Sequence, residues 1–115
     1  MLVVTRQRNT AVAIGDDVLV AVQEFGADHV VLLTKLPAGI ALRGPEGIIE
    51  TQQVADGATP SGIVEGLARL KVEDDLQIGD DVTIKIVEFK THNGFPNRVR
   101  LGITAPPARR ITRPE

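Results

Sequence analysis

Regular alternation of apolar and polar side chains predicts β-strands in two separate parts of the chain. In VLVAVQEF at 18–25, the valines at 18, 20 and 22 fall on one face of an extended strand. In VTIKIVEF at 82–89, the apolar residues at 82, 84 and 86 do the same, while Thr83 and Lys85 point to the other face. A period of two with one apolar face is typical of a sheet that is buried on one side and wet on the other.

These two strands belong to an internal repeat. IGDDVLVAVQEF at 14–25 and IGDDVTIKIVEF at 78–89 are identical at seven of twelve positions, with a constant spacing of 64 residues. Further along, VVLLTKLP at 30–37 aligns with VRLGITAP at 99–106, after five extra residues in the loop KTHNGFPN of the second copy. The chain therefore contains two similar units.

Each unit is predicted to be a three-stranded meander, at about 11–35 and 75–104. Gly15 and Gly79 stand where a short strand must turn into a long one, and glycine tolerates the positive φ of a tight hairpin. Further extended pieces flank the meanders, namely MLVVTRQ and IALR around the first and GLARLKV and ARRITR around the second. One meander cannot bury its apolar face alone, so the two units are expected to pack as an all-β sandwich.

The segment GPEGIIETQQVADGATPSGIVE joins the two units. Its glycines and polar residues predict a linker, with a possible short helix at 46–55. The predicted organisation is thus repeat 1 at 1–43, a linker at 44–66 and repeat 2 at 67–115, with one shared core. A loop tip at Phe95 is open to two interpretations, a partner contact or an aromatic ring folded back onto the sandwich.

Composition narrows the class of protein. The 115 residues suffice for one small domain, and the 43% of apolar residues, which include no Trp or Tyr, favour strands. There is no cysteine, no signal-peptide hydrophobic region and no apolar stretch of membrane-spanning length, so a soluble cytoplasmic protein without membrane attachment is expected.

Charge is distributed unevenly along the chain. The net charge is −2, yet residues 98–113 contain five arginines and no carboxylate, whereas residues 44–81 carry nine acidic residues against Arg69 and Lys71. A local surface that meets an anion is predicted at the C-terminal end. The alternative is a solvated terminal strand whose charges serve solubility and blunt a sheet edge.

No arrangement of residues predicts catalysis. Neither a Ser-His-Asp set nor paired carboxylates can be assembled. The adjacent Asp16 and Asp17, repeated as Asp80 and Asp81, point apart on a strand and lack calcium-loop spacing, so a hairpin turn is the better interpretation. No enzyme activity, metal or cofactor is expected.

The sequence resembles the carbon storage regulator family, CsrA/RsmA, the small bacterial RNA-binding regulators of translation. MLVVTR at 1–6 is similar to the opening of the family, IGDDV occurs twice, and VRLGITAPPARRITR at 99–113 is similar to its ending. Ordinary members are about half as long and form intertwined homodimers. The resemblance therefore implies a fused tandem, an intramolecular pseudo-dimer in which each meander is flanked by the first and last strands of the other unit.

The resemblance also implies an RNA site where the opening strand of one unit runs beside the closing strand of the other. It carries over Val4, Thr5 and Arg6, with Arg8 beside them, and Arg113 as the arginine most closely tied to recognition. Arg6, Arg109 and Arg110 are expected to contact phosphates. The remaining candidates of the closing strand are Ala105, Pro106 and Ile111.

Departures from the family pattern predict that only one of two sites is retained. Gln7 stands where an arginine is usual, Gly44 stands where the counterpart of Arg113 belongs, and Arg43 is shifted to the opposite face. The second opening strand, GLARLKV, lacks the Thr-Arg pair. The expected function is post-transcriptional regulation by binding GGA motifs, in single strands or hairpin loops of mRNA leaders, through one composite site. The alternative is a degenerate protein-interaction or antagonist module without RNA binding.

Overall fold

The sandwich consists of two antiparallel six-stranded sheets. A computed structural model describes residues 1–56 and 59–113, and within these ranges it contains strands and no helix. The strands are β1 (Leu2–Gln7), β2 (Ala11–Ile14), β3 (Val18–Phe25), β4 (Val30–Pro37), β5 (Leu42–Gly44), β6 (Gly47–Ile48), β7 (Gln52–Asp56), β8 (Thr59–Leu70), β9 (Asp75–Ile78), β10 (Val82–His92), β11 (Phe95–Thr104) and β12 (Ile111–Thr112). The described residues form no helix that could cross a membrane.

The order of the strands confirms the exchange between the two units. Sheet 1 has the order β1-β11-β10-β9-β5-β6, and sheet 2 has the order β12-β2-β3-β4-β8-β7. The second meander, β9 to β11, therefore lies between β1 and β5 of the first unit. The first meander, β2 to β4, lies between β12 and β8 of the second unit. The chain is a strand-exchanged pseudo-dimer.

Inward-facing residues of both sheets build one core. The predicted alternation is confirmed, since the residues at 18, 20, 22, 82, 84 and 86 are all at most 3% exposed. Phe25 and Phe89, which occupy equivalent positions in the repeat, pack edge to face with ring centroids 6.4 Å apart. Contact between equivalent residues indicates that they lie close to the pseudo-twofold axis. Gly15 and Gly79 have φ values of 66° and 62°, as the turn interpretation predicts.

The interpretation of the linker as a possible helix is wrong. Residues within 46–55 form β6 and the first part of β7, and β8 begins at Thr59, well before the strand expected from GLARLKV. β5 and β6 make a tight hairpin, with Gly47 at a φ of 115°. β7 pairs with β8, so the backbone of β7 makes hydrogen bonds to N–H and C=O groups of β8 that would be unpaired if β8 were the edge strand. Phe95 lies at the start of β11 and is 50% exposed.

Arg6 occupies a core position of the sandwich. It pairs with Val99, and in the other sheet Leu70 pairs with Val30, which the repeat aligns with Val99. Leu70 is fully buried, and Arg6 is only 9% exposed. The position therefore belongs to the inward face of the edge strand in both units.

Backbone carbonyl groups hold the buried guanidinium of Arg6. Its Nε donates to the carbonyl oxygen of Thr5 at 2.8 Å, and its Nη1 donates to that of Ala11 at 3.1 Å. The second bond ties β1 of sheet 1 to β2 of sheet 2. Hydrogen bonds from a charged group are stronger than neutral ones and keep a buried charge solvated.

Thr34 places a polar hydroxyl group in the apolar core. Thr34 is fully buried, and within the described residues its Oγ1 has no hydrogen-bond partner. The equivalent position of the second unit is Ile103. Replacing Thr34 with valine is expected to raise the free energy of unfolding by about 1 kcal/mol, because the desolvation cost of the hydroxyl disappears.

Urea denaturation of Thr34→Val and Thr83→Val checks this expectation. Thr83 is the control, because its hydroxyl donates to Oε1 of Gln77 at 2.8 Å and valine would lose that bond. Equal stabilisation by both substitutions would mean that strand propensity, and not the buried hydroxyl, is responsible.

Replacing Arg6 with alanine is expected to lower the free energy of unfolding by about 2 kcal/mol, because charge-assisted hydrogen bonds and packing are both lost. Arg6→Leu, which copies Leu70, should lose less. Arg43→Ala is the control, since Arg43 is an exposed arginine on β5 and its loss should change stability by no more than about 0.5 kcal/mol. Urea denaturation midpoints that fall equally for Arg6→Ala and Arg43→Ala would contradict a structural role for Arg6.

Candidate nucleic-acid interface

The two ends of the described chain lie on the same side of the sandwich. β1 is the edge strand of sheet 1, and β12 is the edge strand of sheet 2. β1 turns directly into β2, the neighbour of β12, through residues 8–10. We call the surface formed by β1, this turn and residues 105–113 the first seam.

Local hydrogen bonds shape the turn that joins the two sheets at the first seam. The backbone N–H of Gln7 donates to Oγ1 of Thr10 at 2.9 Å, and that hydroxyl donates back to the Gln7 carbonyl at 2.6 Å. Asn9 adopts a φ of 67°, and its N–H donates to the Val22 carbonyl at 2.8 Å. Asparagine tolerates this left-handed conformation better than most residues. The turn therefore holds Arg8 at a defined and exposed place.

The closing strand is anchored mainly by its backbone. Ile111 pairs with Ile14, and the Gly15 N–H donates to the carbonyl of Arg110 at 2.7 Å. The preceding segment turns at Pro106, whose carbonyl accepts a bond from the Arg109 N–H at 2.9 Å. These contacts leave the side chains of Arg110 and of Arg113 exposed.

The structure divides the predicted site residues into three groups by exposure. The exposed ones, which can meet a ligand with their side chains, are Thr5, Arg8, Arg110 and Arg113. The half-buried ones are Ala105, Pro106, Arg109 and Ile111. The buried ones are Val4 and Arg6. The first seam therefore brings both strands to one edge, but it does not present every predicted side chain to solvent.

Two of the predicted phosphate-binding arginines are already engaged within the protein. The guanidinium of Arg6 points inward to the carbonyl of Ala11. Nη1 of Arg109 lies 3.5 Å from Oδ1 of Asp17, and both side chains remain partly exposed. A surface ion pair of this kind is weak and can open for a competing anion, whereas a buried arginine cannot swing out without disturbing the core. Arg109 thus remains accessible to phosphate, and Arg6 does not.

Two arginines that were absent from the predicted site adjoin the first seam. Arg100 pairs with Thr5, and Arg98 pairs with Gln7, so all four side chains share the outer face of sheet 1. Arg100 Nη1 lies 3.1 Å from Oε1 of Glu88. Antiparallel alignment of MLVVTRQ at 1–7 with RVRLGIT at 98–104 is the signal that could have found them, because the implied strand exchange already places these strands side by side.

The opposite edge of the sandwich has the same architecture with different residues. It is formed by β8 and β5, and we call it the second seam. Leu42 pairs with Ile78 there, as Ile111 pairs with Ile14 at the first seam. Two residues further along each strand, Gly44 stands at the place of Arg113. The strand pairing at the two seams therefore makes Gly44 and Arg113 equivalent, as the alignment of the two repeats predicts.

The segment between β6 and β7 packs against the second seam. The N–H of Ile49 donates to the carbonyl of Leu42 at 2.8 Å. A Cβ atom added to Gly44 would lie 3.2 Å from Cδ1 of Ile49, and one added to Gly66 would lie 3.3 Å from its Cγ2. β7 also covers the outer edge of β8. The second seam consequently lacks the arginine, and Ile49 lies against Gly44 at the side of an open pocket between β5, β6 and β8.

A titratable pair lies in the loop between β3 and β4. A hydrogen bond with the His29 ring, at 3.1 Å, lowers the pKa of the Asp28 carboxyl. The ammonium group of Lys71, 3.7 Å away, acts in the same direction. These groups belong to neither strand of the first seam.

Comparison with known proteins identifies the second unit. The family model of CsrA, described as a global regulator protein family, matches residues 67–115. No curated protein and no solved structure matches the chain. The matched segment contains the second meander and the closing strand, which share their sheets with strands of the first unit. Residues 67–115, somewhat less than half of the chain, are therefore similar to the CsrA family.

Proposed function

We propose that this chain binds RNA and regulates mRNA after transcription, through one composite site at the first seam. The observation that carries the proposal is the contrast between the two seams. The first seam has exposed Thr5 on β1 and exposed Arg113 directly after β12, while the second has Gly44 in place of Arg113, with Ile49 packed against it. We assign the two units to 1–43 and 67–115, joined by the linker 44–66.

The ligand class follows from the chemistry of the exposed groups. The planar fork of Arg113 can offer two donors to O6 and N7 of guanine, which suits a GGA motif in a single strand or a hairpin loop. Arg8, Arg109 and Arg110 supply positive charge for phosphates, which orient the strand without reading its sequence. The chain has no Trp or Tyr, so recognition relies on hydrogen bonds and charge and not on aromatic platforms.

Binding at one site defines the mechanism. A protein held on a GGA motif within an mRNA leader occludes the ribosome-binding site, and it needs no chemical step to do so. This activity belongs in the cytoplasm, where ribosomes meet mRNA. One chain cannot bridge two GGA loops, so the avidity of a two-site regulator is absent unless chains associate.

A second candidate function is a protein-interaction or antagonist module without RNA binding. Its support is the burial of Arg6 together with the net charge of −2. In that case the exposed arginines would meet an acidic protein surface.

Titration of a fluorescent GGA hairpin against the protein tests the assignment of Arg113. Arg113→Ala is expected to weaken binding about fivefold to 150-fold, because a bidentate contact to guanine contributes about 1–3 kcal/mol. Arg43→Ala is the matched control, an exposed arginine on the corresponding strand, and should change affinity less than about twofold. A hairpin without GGA, measured over a salt series, separates specific recognition from charge.

Three results would count against the proposal. Equal losses from Arg113→Ala and Arg43→Ala would remove the distinction between the seams. Equal affinity for the GGA hairpin and its control would remove specific recognition. Failure of the unaltered protein to bind either RNA at low salt would favour the protein-interaction module.

Calorimetric titration of the same hairpin measures how many seams bind. We expect one RNA per chain, because the second seam has Gly44 in place of the guanine-binding Arg113. Gly44→Arg should leave the stoichiometry unchanged, since even a Cβ atom at this position is crowded by Ile49. Two RNA molecules per unaltered chain would contradict the one-site proposal.

A further inference from the structure

The hairpin of β10 and β11 is longer than its counterpart in the first unit. β3 ends at Phe25, β4 begins at Val30, and a short loop joins them. β10 and β11 continue beyond the residues equivalent to these two, as far as the pair of His92 with Phe95. The extra residues of the second unit therefore form a projecting hairpin tip, which we define as residues 91–97.

The geometry of the hairpin tip is fixed by its own residues. Asn93 and Gly94 have φ values of 54° and 81°, as a two-residue Asn-Gly hairpin turn requires. Pro96 is buried, and a β-bulge at Asn97 bends the strand. Phe95 is held on this ordered tip with half of its surface exposed. A fixed aromatic side chain meets a ligand at little cost in ordering entropy.

The hairpin tip lies beside the turn that joins β1 to β2 at the first seam. β1 ends where Gln7 pairs with Arg98, so Arg8 continues alongside the tip. A pocket of about 260 Å³ lies between the two, and we call it the tip pocket. It is lined by Arg8, Glu24, Phe25, Phe95, Pro96 and Asn97. The tip pocket therefore shares the exposed Arg8 with the first seam.

The groups that line the tip pocket suit a flat heterocycle with a polar edge. Phe95 supplies an exposed aromatic ring for stacking. The carboxylate of Glu24 accepts hydrogen bonds and repels phosphate, while the amide of Asn97 both donates and accepts. Each nucleobase combines a π face with a polar edge that carries an N–H donor. The volume is below the usual range for drug-sized ligands, which fits a single base.

The hairpin tip lies on the side of the sandwich where the seam keeps its arginine. The corresponding loop of the first unit, GADH at 26–29, contains no aromatic residue. It adjoins the start of the turn after β8, where Oδ2 of Asp28 lies 3.7 Å from Nζ of Lys71. A hairpin needed only to complete the sandwich would be needed in both units. The extension with Phe95 is therefore better explained by the neighbouring seam than by the fold.

We propose that the tip pocket holds one unpaired nucleobase beside the GGA motif, stacked on Phe95, while Arg8 holds the phosphate of the same nucleotide. This inference rests on the proposed function and narrows its ligand to GGA motifs that have an unpaired neighbour. Recognition of GGA itself stays with hydrogen bonds and charge at the first seam. Stacking tolerates any base, so the tip pocket responds to an unpaired nucleotide more than to its identity.

Abasic substitutions in the GGA hairpin locate the base that enters the tip pocket. The unaltered protein is titrated with hairpins in which each loop nucleotide outside GGA is made abasic in turn. One position is expected to lose about fivefold in affinity, at the low end for stacking because Phe95 stays half exposed. Phe95→Ala should lose about fivefold on the intact hairpin and nothing more when that position is abasic.

Two further variants control for effects other than stacking. Ile48→Ala removes an exposed apolar side chain from the short hairpin of β5 and β6 in the same sheet, and should change affinity less than about twofold. Phe95→Leu keeps an apolar side chain without a π face, so it should lose nearly as much affinity as Phe95→Ala. Urea denaturation checks that each variant is folded. If Phe95→Ala does not fold, Phe95→Leu takes its place in the comparison.

The outcomes separate this inference from the proposed function. Equal affinity for all abasic hairpins, additive losses from the abasic position and Phe95→Ala, or full binding by Phe95→Leu would each overturn the tip pocket as a base site. If GGA preference still depends on Arg113 in that case, the proposed function stands. Unchanged RNA affinity of Phe95→Ala would leave a protein partner as the occupant of the pocket. Failure of the unaltered protein to bind any hairpin would overturn both.

Discussion

Exchange of edge strands is the constraint on which the rest of the structure depends. Each meander has only three strands, and its apolar face and hydrogen-bonding edges are completed by β1 and β5 or by β8 and β12 from the other unit. Neither half of the chain can bury its core without the other. Fusion of the two units in one polypeptide places both partners of this exchange in the same chain.

Covalent connection explains why the two seams differ. The linker must leave from β5 and enter β8, and these are the strands that form the second seam. The chain that runs past this seam places Ile49 against Gly44 and Gly66. The linker between the two units does not pass the first seam, which is formed by β1, the turn at 8–10 and residues 105–113. The asymmetry therefore follows from topology as much as from the lost arginine.

The two units also divide other tasks between them. Arg6 and Leu70 fill equivalent core positions, but only Arg6 links the two sheets through a carbonyl of β2. The outer face of sheet 1 carries Arg98 and Arg100 beside the first seam, whereas one row across sheet 2, formed by Ala11, Ala21, Leu33 and Leu67, is apolar.

The sequence by itself determined the all-β class, the repeat and the turns at Gly15 and Gly79. It also determined that Gly44 is the counterpart of Arg113, because local alternation and exact spacing encode strand faces and register. It could not decide that 46–55 contains β6 and most of β7, since pairing of β7 with β8 is a tertiary contact that overrides weak helical propensity. Only the tertiary structure separated exposed Arg113 from buried Arg6. Both read as cations in the sequence, and burial depends on which strands lie across the core.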